Sequence, residues 1–153
     1  EALAICDRIA VLNEGKLHQF STPKELVRNP LTAFVGKFVF QKNILNIYNE
    51  NNIYKTPIGL ITTNVNHHGV TPSICMFDIN DVQLSLSDKG EYTIISKEFR
   101  HDKWILTIKV NKYFIRISHP LEEIISVGDR CILNFKKGNE ARLFPGSITC
   151  LLG

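Results

Sequence analysis

Two alternating runs joined by two residues constrain this chain most. In residues 104–110, Trp104, Leu106, Ile108 and Val110 fall on one face of a strand, and Thr107 and Lys109 on the other. In residues 113–118, Tyr113, Ile115 and Ile117 alternate inward in the same way. Asn111-Lys112 leaves room only for a tight connection between them.

Around these runs the pattern repeats. Residues 44–48, 53–63 (broken near Pro57-Ile58-Gly59), 73–79, 82–87 and 92–99 each read as strand. Val127-Gly128-Asp129-Arg130 reads as a turn, and residues 131–135 as a last strand with Cys131, Leu133 and Phe135 on one face. Short strands at this spacing predict a small barrel or sandwich. Residues 64–69, with His67-His68, read as a loop. The 19 isoleucines and 13 asparagines agree with strands and turns.

Residues 1–40 read differently. Residues 1–7 resemble the tail of a helix ended by Asp7-Arg8, and Ile9-Ala10-Val11-Leu12 is a short apolar strand. Asn13-Glu14-Gly15-Lys16 turns the chain, and residues 16–20 return as a second strand. Thr22-Pro23-Lys24-Glu25 then opens a helix: Thr22 caps, Pro23 suits the first helical position and Glu25 completes a capping box. That helix stops before Asn29-Pro30. Leu31, Phe34, Val35 and Phe38 space an apolar face for a further helix.

Composition excludes several classes. The chain has 153 residues, 44% apolar and 22% charged, which excludes disorder. A net charge of +3 gives no nucleic-acid-binding tail. No apolar run approaches the roughly 20 residues of a membrane helix, and nothing near Glu1 resembles a secretory signal. Cys6, Cys75, Cys131 and Cys150 are widely spaced and read as free thiols in a reducing compartment. The only methionine is Met76, so the chain is expected to be part of something longer.

One ordered set of residues is more specific. Glu1-Ala2-Leu3, Asp7-Arg8-Ile9-Ala10-Val11, Gly15, Gln19, Thr22-Pro23-Lys24-Glu25-Leu26, Pro30 and Phe34-Val35 closely resemble the end of the ATP-binding-cassette ATPase of bacterial importers. From Asn43-Ile44-Leu45 onward the chain resembles the oligomer-binding-fold (TOBE-type) regulatory domain that follows the cassette in the maltose, polyamine, sulfate and iron(III) branches. Val127-Gly128-Asp129-Arg130-Cys131-Ile132-Leu133-Asn134-Phe135 and Arg142-Leu143-Phe144 carry that likeness. Phe77-Asp78-Ile79-Asn80-Asp81-Val82 departs from it, because the family's Arg, Pro and Glu are replaced.

The resemblance implies a mainly β fold: a small OB-fold-like barrel over residues 43–153, preceded by an α/β remnant of a nucleotide-binding domain over residues 1–40. It implies a regulatory and dimerising role, with a second copy of the subunit and transmembrane permease subunits as partners. The location implied is the cytoplasmic face of the inner membrane. ATP and Mg²⁺ belong to the full-length parent. No GxxxxGK[ST] occurs in this sequence, so the chain by itself is expected not to hydrolyse ATP and to bind no cofactor. Residues 38–45 lean toward the iron(III) branch, with polyamine second.

The candidate residues are few. Asp7 and Arg8 are candidates for a nucleotide-domain interface, and Asp78, Asn80 and Arg116 for a regulatory surface. His67-His68 with Cys75 and Asp78 could suggest a metal site, but adjacent histidines in a polar loop favour a solvated loop. Lys97, Arg100, His101, Lys103, Lys109, Lys112 and Arg116, with Phe99, Trp104, Tyr113 and Phe114, form a basic aromatic strip. A stand-alone barrel could use such a strip on single-stranded nucleic acid. Trp104 and Tyr113 fall on apolar faces, so core packing is favoured and no nucleic acid is expected.

Overall fold

The computed structural model describes residues 2–51, 53–61, 71–139 and 141–145. After a helical turn, α1 (Ala2–Ile5), strands β1 (Ile9–Asn13) and β2 (Lys16–Ser21) form an antiparallel hairpin. Gly15 turns it with φ +73°, a conformation that suits glycine. Helix α2 (Pro23–Arg28) starts as the sequence predicts. The Thr22 hydroxyl accepts from the Glu25 N–H, and the Glu25 carboxylate accepts from the Thr22 N–H.

The second helix departs from its predicted face. Residues 33–40 are helical, but Val35–Val39 form a wider π turn. Leu31 precedes it and is exposed, whereas Ala33 and Val35 are buried. The Phe38 side chain lies outside the described part. Gly36 packs tightly on Met76, since a Cβ there would stand 1.9 Å from the Met76 sulfur. Gln41, at φ +52°, then reverses the chain and the Lys42 N–H donates to the Gly36 carbonyl. This is a glycine-type helix ending with a glutamine at the left-handed position.

The barrel consists of β8 (Val82–Leu86), β9 (Tyr92–Arg100), β10 (Lys103–Val110), β11 (Tyr113–Pro120) and β12 (Arg130–Phe135). Its order is β11-β10-β9-β12-β8. The meander β9–β10–β11, with β12 returning beside β9, is a Greek key, and β8 comes back beside β11. A five-stranded, partly open Greek-key barrel is the OB-type architecture. Leu106, Ile108, Val110, Tyr113, Ile115, Ile117, Cys131 and Leu133 fill it, as the alternation predicts. Ile105 is also buried, on the opposite face of β10, where it lies beside Phe40 and Ile79.

Two further sheets flank the barrel. One has the order β13-β7-β3, with β3 (Asn43–Asn46), β7 (Ile74–Phe77) and β13 (Arg142–Phe144). Its central strand β7 is buried throughout. The other comprises β4 (Tyr48–Glu50), β5 (Ile53–Thr56) and β6 (Gly59–Ile61). Three predicted strands are therefore corrected. Residues 44–48 contain the end of one strand and the start of another, because the buried Ile47 leaves the ladder to bond Ser73. The break at Pro57-Ile58-Gly59 is a full reversal between β5 and β6, made by Gly59 at φ +135° and the Thr56 hydroxyl. The strand predicted over 73–79 ends at Phe77, where Asp78–Asp81 turns. Residues 62–70, with the predicted loop and its histidines, lie outside the described residues.

The architecture is mainly β, as expected. Ala33 belongs to the same hydrophobic core as the barrel and Phe34 packs against it, although both precede the connector at 41–42.

Candidate functional site

Three consecutive side chains bolt the connector to the barrel. Gln41 accepts a hydrogen bond from the Arg116 guanidinium at 3.0 Å. Lys42 pairs with Asp78 at 2.7 Å. Asn43, 5% exposed, donates its amide to the Arg116 carbonyl and accepts from the Arg116 N–H, both at 2.7 Å. The Asn43 side chain thus reproduces one rung of a β ladder and joins β3 to the edge of β11 that faces away from β10. Farther along, the Asn46 amide donates to the Tyr113 hydroxyl at 2.7 Å.

The turn Asp78–Asp81 completes this corner. The Asp81 carboxylate accepts from the Asp78 N–H at 2.7 Å, and Asp78 accepts from the Asn80 N–H at 3.2 Å. Ser118 donates its hydroxyl to the Asn80 side chain at 2.6 Å and its N–H to the Ile79 carbonyl at 2.8 Å. Burial by itself raises the Asp78 carboxyl. The Lys42 ammonium and the Asn80 N–H outweigh it, and the carboxyl lies below its ordinary range. The Arg100 and Arg116 guanidiniums flank the exposed Glu98 and hold its carboxyl low as well.

Asp78, Asn80 and Arg116 are therefore brought together. They hold the connector, with Arg116 spread between Gln41 and Glu98. Asp7 and Arg8 lie apart from this corner, exposed beside the hairpin, with the Arg8 guanidinium 4.8 Å from the Phe20 ring centre.

Beside the connector a cleft of about 750 Å³ lies between α2 and the sheet that contains β7 and β13. Arg28 and Pro30 line it from the end of α2, and Lys42, Asp78, Asp81 and Arg142 from the connector, the turn after β7 and β13. Arg142 on β13 donates to the Arg28 carbonyl at 2.7 Å and to the Asn29 side-chain oxygen. Within the first forty residues Gln19 is the hub. Its buried amide donates to the Asn29 carbonyl at 3.1 Å and accepts from the Leu31 N–H at 2.9 Å. Gln19, Gln41, Lys42, Asn43 and Arg142 received no role from sequence reasoning. Gln19, Asn43 and Arg142 were visible only as positions of the resemblance, since their partners lie 10 to 114 residues away.

The basic aromatic strip disperses. Lys97 donates to the Ile125 carbonyl at 2.8 Å and sits 4.7 Å over the Trp104 ring. The exposed Phe99 pairs with Trp104, whereas the exposed Phe114 pairs with Lys109. Trp104 and Lys109 face opposite sides of β10, so the two open rings lie on opposite faces of the sheet. Among the described residues, no group of three or more His, Cys, Asp or Glu could hold a metal ion. No described helix is long and apolar enough to cross a membrane.

No family model matches the sequence. Curated relatives do. The chain is 40% identical over 63 residues to the sulfate/thiosulfate import ATP-binding protein of Vibrio vulnificus, across 41% of this chain and 18% of that protein. It is 51% identical over 43 residues to the spermidine/putrescine import ATP-binding protein of Treponema pallidum, across 28% of this chain and 11% of the relative. A longer match, 27% identical over 146 residues, reaches the spermidine/putrescine import ATP-binding protein of Mycoplasma mycoides and covers 91% of this chain and 41% of the relative. The chain thus spans less than half the length of these relatives. The homologues of this chain are ATP-binding subunits of ABC importers.

Proposed function

We propose that this chain is the C-terminal regulatory part of an importer's ATP-binding subunit. Residues 1–40 are the last elements of its nucleotide-binding domain. Residues 43–153 are an OB-like (TOBE-type) barrel that pairs with the barrel of a second copy. The observation that carries this reading is the match to the Mycoplasma mycoides protein, which runs through the hairpin, the connector and the barrel over 91% of the chain.

The role is mechanical: the barrel keeps two subunits together while their cassettes open and close against the permease at the cytoplasmic face of the membrane. ATP and Mg²⁺ bind the parent elsewhere. The residues present do not fit them, since the sequence has no phosphate loop and Arg8 is turned to Phe20. We assign no catalytic step to this chain.

A polyamine is the solute that the relatives favour over iron(III), because two matches extending into the barrel are both to spermidine/putrescine import ATP-binding proteins. The test is depletion of the native gene product in its source organism, with labelled spermidine, iron(III) and sulfate uptake followed in parallel. Loss of spermidine uptake alone is expected. Loss of iron(III) or sulfate uptake with spermidine intact overturns the solute, and a native protein no longer than this chain on intact-mass analysis overturns the whole reading. A stand-alone barrel binding single strands would need a continuous stacking surface, and Phe99 and Phe114 on opposite faces do not provide one.

A further inference from the structure

We propose that the cleft between α2 and the sheet of β7 and β13 is a binding site for a small organic anion, with a carboxylate or phosphate head and a short apolar body. Arg28, Lys42 and Arg142 line the cleft against Asp78 and Asp81, so cations outnumber carboxylates. The two kinds of charge are also committed differently. The acids are engaged: Asp78 pairs with Lys42 and accepts from the Asn80 N–H, and the Asp81 carboxylate accepts from the Asp78 N–H. The arginines are not neutralised. Among the described residues no carboxylate pairs with Arg28 or Arg142. Glu25, one turn before Arg28 on α2, bonds back to Thr22 instead.

Arg142 is held ready for such a head. Its guanidinium donates to two neutral oxygens, the Arg28 carbonyl and the Asn29 side chain, which fix its plane. Those bonds use two of the five N–H groups a guanidinium carries, and the rest remain open to a ligand. A fork of this kind pairs with carboxylate and phosphate through parallel hydrogen bonds. Arg142 is half-buried, so its charge is screened less than that of a surface cation. Below the charges the floor is apolar, with Pro30, Met76, Phe77 and Ala141 all buried. Apolar walls with a few fixed polar groups make up most small-molecule sites, and a volume of about 750 Å³ lies in their range. A polyamine does not fit here, because it would meet the two arginines where both acids are already engaged. The site therefore stands apart from the importer reading and from the solute assigned to it.

Met76 is the only methionine in the chain and lines this floor, so an isotope label on its methyl group reports from the cleft by NMR. Phenyl phosphate, benzoate and spermidine are titrated in turn into the full chain at constant ionic strength. Phenyl phosphate or benzoate should shift the Met76 signal to saturation with a Kd of about 1 mM or tighter, and spermidine should leave it in place. Which of the two anions binds tells a phosphate head from a carboxylate head. Arg28→Gln and Arg142→Gln should each weaken binding about ten-fold or more, as loss of a charged hydrogen-bond partner does. No saturable shift with either anion overturns the proposal, as does an equal response to spermidine or an affinity unchanged in both variants. Should Arg142→Gln disturb the fold, read from Trp104 emission, Arg28→Gln decides, because only the backbone carbonyl of Arg28 takes part in the contact with Arg142. Weaker binding then supports the site, and unchanged affinity overturns it.

Discussion

Asn43 closes the barrel edge with its side chain, and its loss should cost more than that of any single contact around it. Asn43→Ala leaves the Arg116 N–H and carbonyl facing a gap, each in a half-buried place. Orphaned backbone groups of this kind cost about 1–3 kcal/mol apiece. We expect a loss of about 2–4 kcal/mol in urea unfolding, whereas Lys55→Ala, which removes only an exposed pair with Glu50, should leave the unfolding midpoint nearly unchanged. Asp78 gives the acid limb. Its folded carboxyl is depressed, so the stability it contributes is complete above the ordinary carboxylate range and is lost as pH falls through the depressed value. Below about pH 4 the wild type should therefore lose thermal midpoint faster than Asp78→Asn. Equal slopes would remove Asp78 from the acid response.

At the scale of elements, Gln19 is the informative position. Gln19→Leu keeps the volume but strips partners from the Leu31 N–H and the Asn29 carbonyl. It should lower stability by about 2–3 kcal/mol and speed amide exchange through α2, whereas Thr22→Ala, which removes a cap, should cost about 1 kcal/mol. This contrast also separates what was legible in the sequence from what was not. The capping box and the strands β10, β11 and β12 were readable because their signals are local: a spacing of three residues, or an alternation of two. The π turn was not, because no local spacing marks it, and Gly36 within it packs against Met76 forty residues away. The reversal at Gly59 read as a mere break because both β5 and β6 carry strand formers. Asp78, Asn80 and Arg116 were singled out as a surface and do share a corner. That they hold the connector follows from Gln41, Lys42 and Asn43, whose polar side chains look like any linker in a sequence.

At the scale of the whole molecule, burial sorts the thiols. Cys6 is exposed, whereas Cys75 and Cys131 are sealed in the core. Burial, with Asp129 nearby, pushes the Cys131 thiol up to about 11, and burial raises Cys75 further. In this chain with Cys150→Ser, one thiol should react with a maleimide near neutral pH in the folded state, and three after denaturation. Early reaction of a second thiol would mean that the barrel opens on the labelling timescale.

The strand order also carries a consequence for synthesis. In the five-stranded sheet β8 is hydrogen-bonded to β12, and β12 also fills the place beside β9. A nascent chain that has emerged only as far as β11 therefore displays a finished three-stranded meander and a β8 that can pack beside β11 but has no hydrogen-bonded neighbour, with the strand that ladders to both β8 and β9 still inside the ribosome. Chains fold from the N-terminus as they are made, and this one cannot close until residues 130–135 arrive. A pause in translation just before that point would hold two raw sheet edges open to whatever other nascent chain or chaperone lies closest.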